Sequence, residues 1–323
     1  MMIRPTTASP VLGRPARACA CSPEPTDEFT PSGPTLEWGY NGHRLTNAEA
    51  FEAIPDEMPE FFRKGGDRLT GLASAPDRWK MRELPHLKDT TKVDHYLSLE
   101  QLEGHELPEN RFEFLRMVEH DHLDGGRDPQ YVGMLPYRMA ELYENLTLDF
   151  ALWRQSSRLF GAEHPTTLGY QQDALRDAGV LGHYVGDAAQ PLHATVHHDG
   201  WDASKAPNPE HFRTRRGLHS EFETALVNQV ANPAEIRAHI ADPHAYRGNP
   251  LDWAREFVNE SNSQVAPLYR LEARGELNPE HPGKEGVAFV NERLAKGAQN
   301  LRDLWYSAWL ESASLEHSLR DPG

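Results

Sequence analysis

Residues 182–193, Gly-His-Tyr-Val-Gly-Asp-Ala-Ala-Gln-Pro-Leu-His, constrain this chain more than any other stretch. His183 and Asp187 are four apart, so in a helix they lie on one face, one turn above the other. Pro191 stops or bends that helix, because it lacks a backbone donor and disfavours helical geometry in the residue before it. His193 therefore leaves in a new direction. If the segment is helical, an imidazole nitrogen and a carboxylate oxygen converge on one hard or borderline cation, and a second imidazole serves a neighbouring ion.

The surrounding chain reads as helical. A helix-spaced pattern runs through Ala48, Phe51, Ile54, Met58 and Phe61-Phe62, and another from Gln130 to Phe160 through Met134, Leu142, Leu146, Phe150 and Trp153. The central stretch falls in a helix over about 167–190. A run from His219 to about Val230 follows a polar loop at 200–212, and a final long helix over about 285–315 carries Val290, Leu294, Leu301, Leu304 and Trp305 on one stripe. Residues 71–96 read as loop-rich, and the prolines at 233, 243 and 250 imply short helices joined by turns. No strand alternation or internal repeat is evident. The expectation is an all-α fold, a single multi-helix domain over 38–315, with a leader at 1–37 and a short tail at 316–323.

Composition sets limits. With 38% hydrophobic and 25% charged residues, the chain reads as a water-soluble globular protein with no bilayer-length apolar run. A net charge of −16 argues against a broad basic face for duplex nucleic acid. Cys19 and Cys21 both lie in the Pro-rich leader, so no disulfide framework supports the body. The leader lacks the apolar centre of a secretory signal.

Seventeen histidines prove little by number, since a lone histidine is usually a surface or hydrogen-bonded residue. Spacing carries more. His183 and Asp187, and again His219 and Glu223, each place an imidazole and an acid one helical turn apart, although such pairs also occur as ordinary surface contacts. His197-His198-Asp199, just past His193, can line the cleft or hydrogen-bond groups behind the ligands, although a solvated loop is the simpler reading, and Glu119-His120-Asp121-His122, running into glycines, reads as surface. Tyr96, Trp201 and Phe222 can line a cleft or simply pack. A di-iron oxygenase is disfavoured, because Glu83/His86 is interrupted by Pro85 and Glu119/His122 meets a glycine loop.

Taken together, Trp38-x4-His43, Asp77, His95-Tyr96, His183-x3-Asp187-x5-His193 and His219-x3-Glu223 resemble the superfamily of zinc-dependent phospholipases C and single-strand-specific fungal nucleases, over about residues 38–310. The resemblance implies an all-α, exported and monomeric phosphodiesterase with three Zn2+ ions. It implies a first ion on Asp77, His95, His183 and Asp187, and a second on His193, His219 and Glu223. A third would use the backbone of Trp38 with His43 and Asp187, whose carboxylate bridges the first and third. It further implies hydrolysis by metal-activated water, oriented or deprotonated by Asp77, with Asp187 central to the metals. Such ions would turn an acidic protein's cleft locally positive, so global charge does not exclude an anionic substrate.

The sequence departs from the pattern in one respect and is divided in another. In secreted members the tryptophan is the mature N-terminus and its free amine binds zinc, whereas here 37 residues precede Trp38. Trp38-x4-His43 and the long gap from His193 to His219 look like the nucleases, while Glu223 in His219-Ser220-x2-Glu223 looks like the phospholipases. The substrate stays open between a phospholipid headgroup and single-stranded DNA or RNA. A contrasting expectation is a non-catalytic helical protein that keeps zinc for structure or binding.

Overall fold

In a computed structural model, the structure describes residues 39–123 and 129–319, all within the unit that spans 35–323. The leader, its two cysteines and Trp38 lie outside the described residues, as does the 124–126 loop signature. In chain order the α-helices are α1 (Gly39–Glu52), α2 (Glu60–Arg63), α3 (Gly66–Leu72), α4 (Ala75–Trp79), α5 (Pro85–Thr91), α6 (Arg111–His120) and α7 (Leu135–Phe160). They continue with α8 (Pro165–Ala189), α9 (Leu218–Ser220), α10 (Val227–Val230), α11 (Pro233–Ala238), α12 (Pro250–Ser263), α13 (Val265–Ala273) and α14 (Lys284–Glu316). Among the described residues extended pairing is limited to two isolated bridges, Leu97 with Gly133 and His198 with Gly200, so the fold is all-α. No described helix is long and apolar enough to cross a membrane.

Three long helices, α7, α8 and α14, pack on one another, and α1 packs on α14 and α8. Their apolar stripes meet in an aromatic core where Phe62 contacts Phe150 and Trp305, with ring centroids 5.5 and 5.3 Å apart. The Trp305 indole donates to the Ala178 carbonyl at 3.1 Å, tying α14 to α8. A second core, including Phe222, Tyr269 and Leu294, fills the far half of the molecule. The chain touches both at the end of α8: Ala188 and Ala189 belong to the first core, Leu192 to the second, and Ala194 to the first again.

This double contact follows from Pro191. α8 ends at Ala189, Gln190 is extended (φ −87°, ψ 115°) as a residue before proline should be, and 191–193 form a 3-10 turn. The freed carbonyls at the end of α8 find partners on other helices: Arg293 of α14 donates to the Ala189 carbonyl at 2.9 Å, and the Ser261 hydroxyl donates to that of Ala188. Arg293 is itself held by Glu260 at 2.7 and 2.8 Å.

Two helical readings need correction. The pattern from Ala48 to Phe62 is not continuous: α1 stops at Glu52 and α2 starts at Glu60, because Pro55 and Pro59 each remove a donor and push the preceding residue away from helix. The run from His219 is interrupted by a π-helical segment over Glu221–Leu226 between α9 and α10. The loop-rich reading of 71–96 is likewise too coarse, since α4, α5 and a 3-10 turn over Lys92–His95 occupy much of it.

Gly182 allows α1 to approach α8. A Cβ there would lie 2.0 Å from the Asn47 Oδ1, and the Asn47 amide is pinned by the carbonyls of Leu69 and Gly179 at 2.9 and 3.0 Å. Gly182→Ala is expected to cost about 1–3 kcal/mol of stability through overpacking, read by thermal or urea denaturation. A second test concerns Asp149, which burial and the nearby Asp177 and Asp173 push up to about 7. The folded state then holds a proton that the unfolded chain releases near pH 4, so this side chain's contribution falls as pH rises from about 4 to 7. Asp149→Asn should gain about 1–2 kcal/mol at pH 8 and almost nothing below pH 4, measured as the pH dependence of unfolding.

Candidate metal centre

His183 and Asp187 are wholly buried on the last turns of α8. The His183 Nδ1 lies 2.8 Å from the Ala73 carbonyl, which can only accept, so Nδ1 carries the hydrogen and Nε2 presents its lone pair. That Nε2 is 3.3 Å from the Asp187 Oδ2, 3.0 Å from the His95 Nδ1 and 3.6 Å from the Asp77 Oδ1. His95 Nδ1 is also 2.9 Å from the Asp187 Oδ2. α4 delivers Asp77 and the 92–95 turn delivers His95, so four groups scattered over the sequence meet in a space of a few ångströms.

The second group forms beyond Pro191. His193 donates from Nδ1 to the His95 carbonyl at 2.6 Å, and His219 makes the same kind of bond to the His198 carbonyl at 3.2 Å. Their Nε2 atoms consequently face each other at 3.2 Å, with the Glu223 Oε2 2.9 Å from His219 and 3.5 Å from His193. Two lone pairs and a carboxylate oxygen so close repel unless a cation, proton or metal, sits among them. His43 completes a third group. It stacks on His183 with centroids 3.9 Å apart, and its Nε2 is 3.5 Å from the Asp187 Oδ1.

Three groups of nitrogen and oxygen atoms could therefore hold metal ions: Asp77, His95 and His183; His193, His219 and Glu223; and His43, His183 and Asp187. The Asp187 carboxylate joins them, with Oδ2 toward His95 and His183 and Oδ1 toward His43. Oδ1 accepts no hydrogen bond among the described residues, and neither does the Asp77 Oδ2, whereas the Asp77 Oδ1 already has the Lys80 ammonium at 3.0 Å. Buried carboxylate atoms in that condition fit a cation as partner.

Electrostatics matches this arrangement. Burial works to raise the Asp187 carboxyl, but His183, His193 and His95 hold it well below the usual range. Glu223 is likewise held down by His219 and His193 against its burial. Burial lowers His183, yet Asp187 and Asp77 outweigh it and raise the imidazole. Beside the site, burial pushes Asp94 up to about 6, although Arg111 at 3.3 Å and Arg138 at 3.9 Å pull the other way.

The structure thus brings together His43, Asp77, His95, His183, Asp187, His193, His219 and Glu223, every proposed ligand among the described residues. Of the two readings of His197-His198-Asp199, the hydrogen-bonding one holds at His197 and Asp199, while His198 is exposed. His197 is buried, stacked on Trp201 at 3.8 Å, and its carbonyl accepts the Tyr269 hydroxyl at 2.6 Å. Asp199 accepts from the amides of Gly217 and His219 at 2.7 and 3.1 Å, anchoring the start of α9. His120 stays exposed, in keeping with a surface cluster. Tyr96 is half-buried, its hydroxyl donating to the Gln130 carbonyl at 3.1 Å, while Trp201 and Phe222 pack into the second core.

Two supporting residues carry no signal of their own in the spacing of the ligands: Gln190 and Arg293. Gln190 accepts from the Leu192 amide at 2.6 Å and donates toward Glu223 at 3.4 Å. Its place just before Pro191 was the available signal, since a polar side chain there can bond the turn that the proline forces.

Asp199→Ala should free the start of α9 and lower affinity for divalent cation by about 10–100-fold, as expected for loss of a group that orients a ligand. Titration with Zn2+ against a chromophoric chelator, with helix content checked by circular dichroism, measures this.

No family model matches the chain. A probable serine protease of Bradyrhizobium tropiciagri is 33% identical over 213 residues, a match covering 58% of this chain and 25% of that protein. The chain spans about a quarter of the length of the curated relative it matches.

Proposed function

We propose that this protein is a zinc-dependent phosphodiester hydrolase. The observation that carries the reading is the commitment of three imidazoles to backbone carbonyls through Nδ1, which aims Nε2 of His183, His193 and His219 at buried carboxylates. A ligand's second nitrogen is fixed in this way in metal sites. Tetrahedral zinc with bonds of about 2.0–2.2 Å sets its ligand atoms about 3.4 Å apart. The separations of 2.9, 3.2 and 3.5 Å among His219, His193 and Glu223 lie around that edge, as do those of 2.9, 3.0, 3.3 and 3.6 Å around His183 and His95.

In this reading Asp77, His95, His183 and Asp187 hold one ion, and His193, His219 and Glu223 a second. His43 and Asp187 contribute to a third, with the backbone of Trp38 as its remaining source of ligands. Zinc supplies a water of lowered pKa and offsets charge on the phosphodiester oxygens. Asp77 also acts on the proton: its Oδ2 can receive one from water, while Lys80, 3.0 Å from Oδ1, steadies the carboxylate. Asp187 keeps its oxygens ionised and divided between two groups, and Asp199 and the carbonyls of Ala73, His95 and His198 keep the imidazoles aimed.

The relative's name suggests a serine protease, and the geometry favours the metal reading over that one. A serine-protease histidine gives Nδ1–H to a carboxylate and turns Nε2 to the serine, whereas Nδ1 of His183, His193 and His219 goes to main-chain carbonyls and their Nε2 atoms face carboxylates; among the proposed ligands only His95 brings Nδ1 within hydrogen-bond distance of a carboxylate, and it shares that approach with His183. The name describes a protein four times the length of the matched segment, so its protease centre need not lie in the shared part.

Metal analysis of the full chain should find two to three zinc ions per molecule, with turnover of bis-p-nitrophenyl phosphate that chelation abolishes. Asp187→Asn should lower both zinc content and rate, the rate by about 100-fold or more, since the remaining ligands lose their shared carboxylate. Fewer than two ions per chain, or equal zinc and rate in Asp187→Asn, would refute the reading. Casein cleavage insensitive to chelator would favour the protease instead.

A further inference from the structure

The chain between two of the proposed ligands, Asp77 and His95, has a character unlike the rest of the protein. Residues 78–92 carry five Lys or Arg and two acidic residues, a local charge of +3 in a chain of net −16. The same segment exposes three large aliphatic side chains: Met81 is 50% exposed, Leu84 48% and Leu87 39%. α5 packs back on α4 and on the 92–95 turn, and of its residues only Thr91 is buried. Leu84 precedes the first turn of α5 with non-helical dihedrals (φ −120°, ψ 64°), and Leu87 lies within that turn. Trp79, by contrast, is partly buried against the main core and secures the base of the segment.

We propose that residues 78–92 are a docking surface for an anionic phospholipid bilayer. Exposed aliphatic side chains in a segment of net positive charge suit an interface where apolar groups enter the acyl boundary and Lys and Arg meet anionic headgroups, with Lys80 turned to Asp77 and Lys88 and Lys92 near Asp89. Charge complementarity selects the partner: a segment of local charge +3 is attractive to an acidic membrane. Single-stranded nucleic acid also attracts cations, but it is gripped by aromatic side chains that stack on bases, and the exposed residues at 81, 84 and 87 are aliphatic. The ends of the segment are fixed at the metal centre by Asp77 and His95, and Lys80 reaches Asp77 at 3.0 Å. A bilayer held here would bring headgroup phosphates to the mouth of that centre. This last consequence rests on the phosphodiesterase reading, whereas the lipid contact does not.

The test is co-sedimentation of the full chain with sucrose-loaded vesicles of phosphatidylcholine containing phosphatidylglycerol, compared with pure phosphatidylcholine. Partition should be at least tenfold stronger on the anionic vesicles and should weaken with salt. The variant M81S/L84S/L87S should lose at least tenfold in partition, with zinc content, helix content and turnover of bis-p-nitrophenyl phosphate unchanged. Failure of the unmodified chain to bind anionic vesicles, or equal partition by the triple variant, overturns the proposal. So does displacement of these residues' role to another partner: loss in the triple variant of oligonucleotide binding, or of self-association in sedimentation velocity, with vesicle partition intact. Because partition and turnover of a soluble ester are read separately, failure of the docking surface and failure of the proposed chemistry are distinguishable.

Discussion

The Asp187 carboxylate is fully buried, and much of the surrounding structure can be understood as what that burial requires. An isolated charge in a protein interior is strongly disfavoured, and the cost is offset only by close partners of opposite sign. Here the near partners are imidazoles, on His43, His95, His183 and His193, each brought by a different part of the chain or a different turn. None carries a permanent charge, so the pocket is electrostatically complete only when it also contains protons or metal ions. An apolar side chain in place of Asp187 would keep the packing of α8 and remove the reason for the histidines to converge.

Convergence depends in turn on how α8 ends. A helix that continued past Ala189 would carry His193 round on the same cylinder as His183, whereas Pro191 ejects the chain into the second core within one turn. Stopping a helix in the interior strands its last carbonyls, and Arg293 and Ser261 take them up from α14 and α12. The ejected segment is then stitched to the strip that carries His95: the Leu97 amide donates to the His193 carbonyl at 2.9 Å, and His193 Nδ1 donates to the His95 carbonyl at 2.6 Å. One ligand's backbone thus orients another ligand's ring. This reciprocity makes the two groups a single unit, in which a shift of either strip moves both.

Local rules were enough to read part of this from the sequence. The four-residue spacing of His183 and Asp187 and the stop at Pro191 are local, and they place those side chains correctly, as apolar periodicity does for α7, α8 and α14. The break between α1 and α2 is also legible, since Pro55 and Pro59 stand in the sequence and outweigh the apolar spacing that runs across them. The π segment was not legible. Glu221, with φ −62° and ψ −45°, has ordinary helical dihedrals, and the difference lies in which carbonyl each amide chooses. Nor could spacing reveal that Asp199, twenty residues before His219, bonds to its amide, or that Arg293 closes α8 from more than a hundred residues away. Those contacts are set by tertiary packing, to which sequence distance gives no guide.

Net charge shows the same distinction between global and local quantities. A value of −16 describes the field far from the protein, where a Debye length of about 8–10 Å has already averaged it. Within that length the relevant charges are few. At the centre, Asp77, Asp187 and Glu223 are countered by a cluster of imidazoles. Beside it, the segment from Arg78 to Lys92 is basic despite the acidity of the whole. An anion approaching from that side meets cations first and the cation-seeking pocket next, while the surplus acidic groups elsewhere are screened from it. The acidity of the whole chain therefore says little about the field at this cleft, which the charges within a Debye length of it decide.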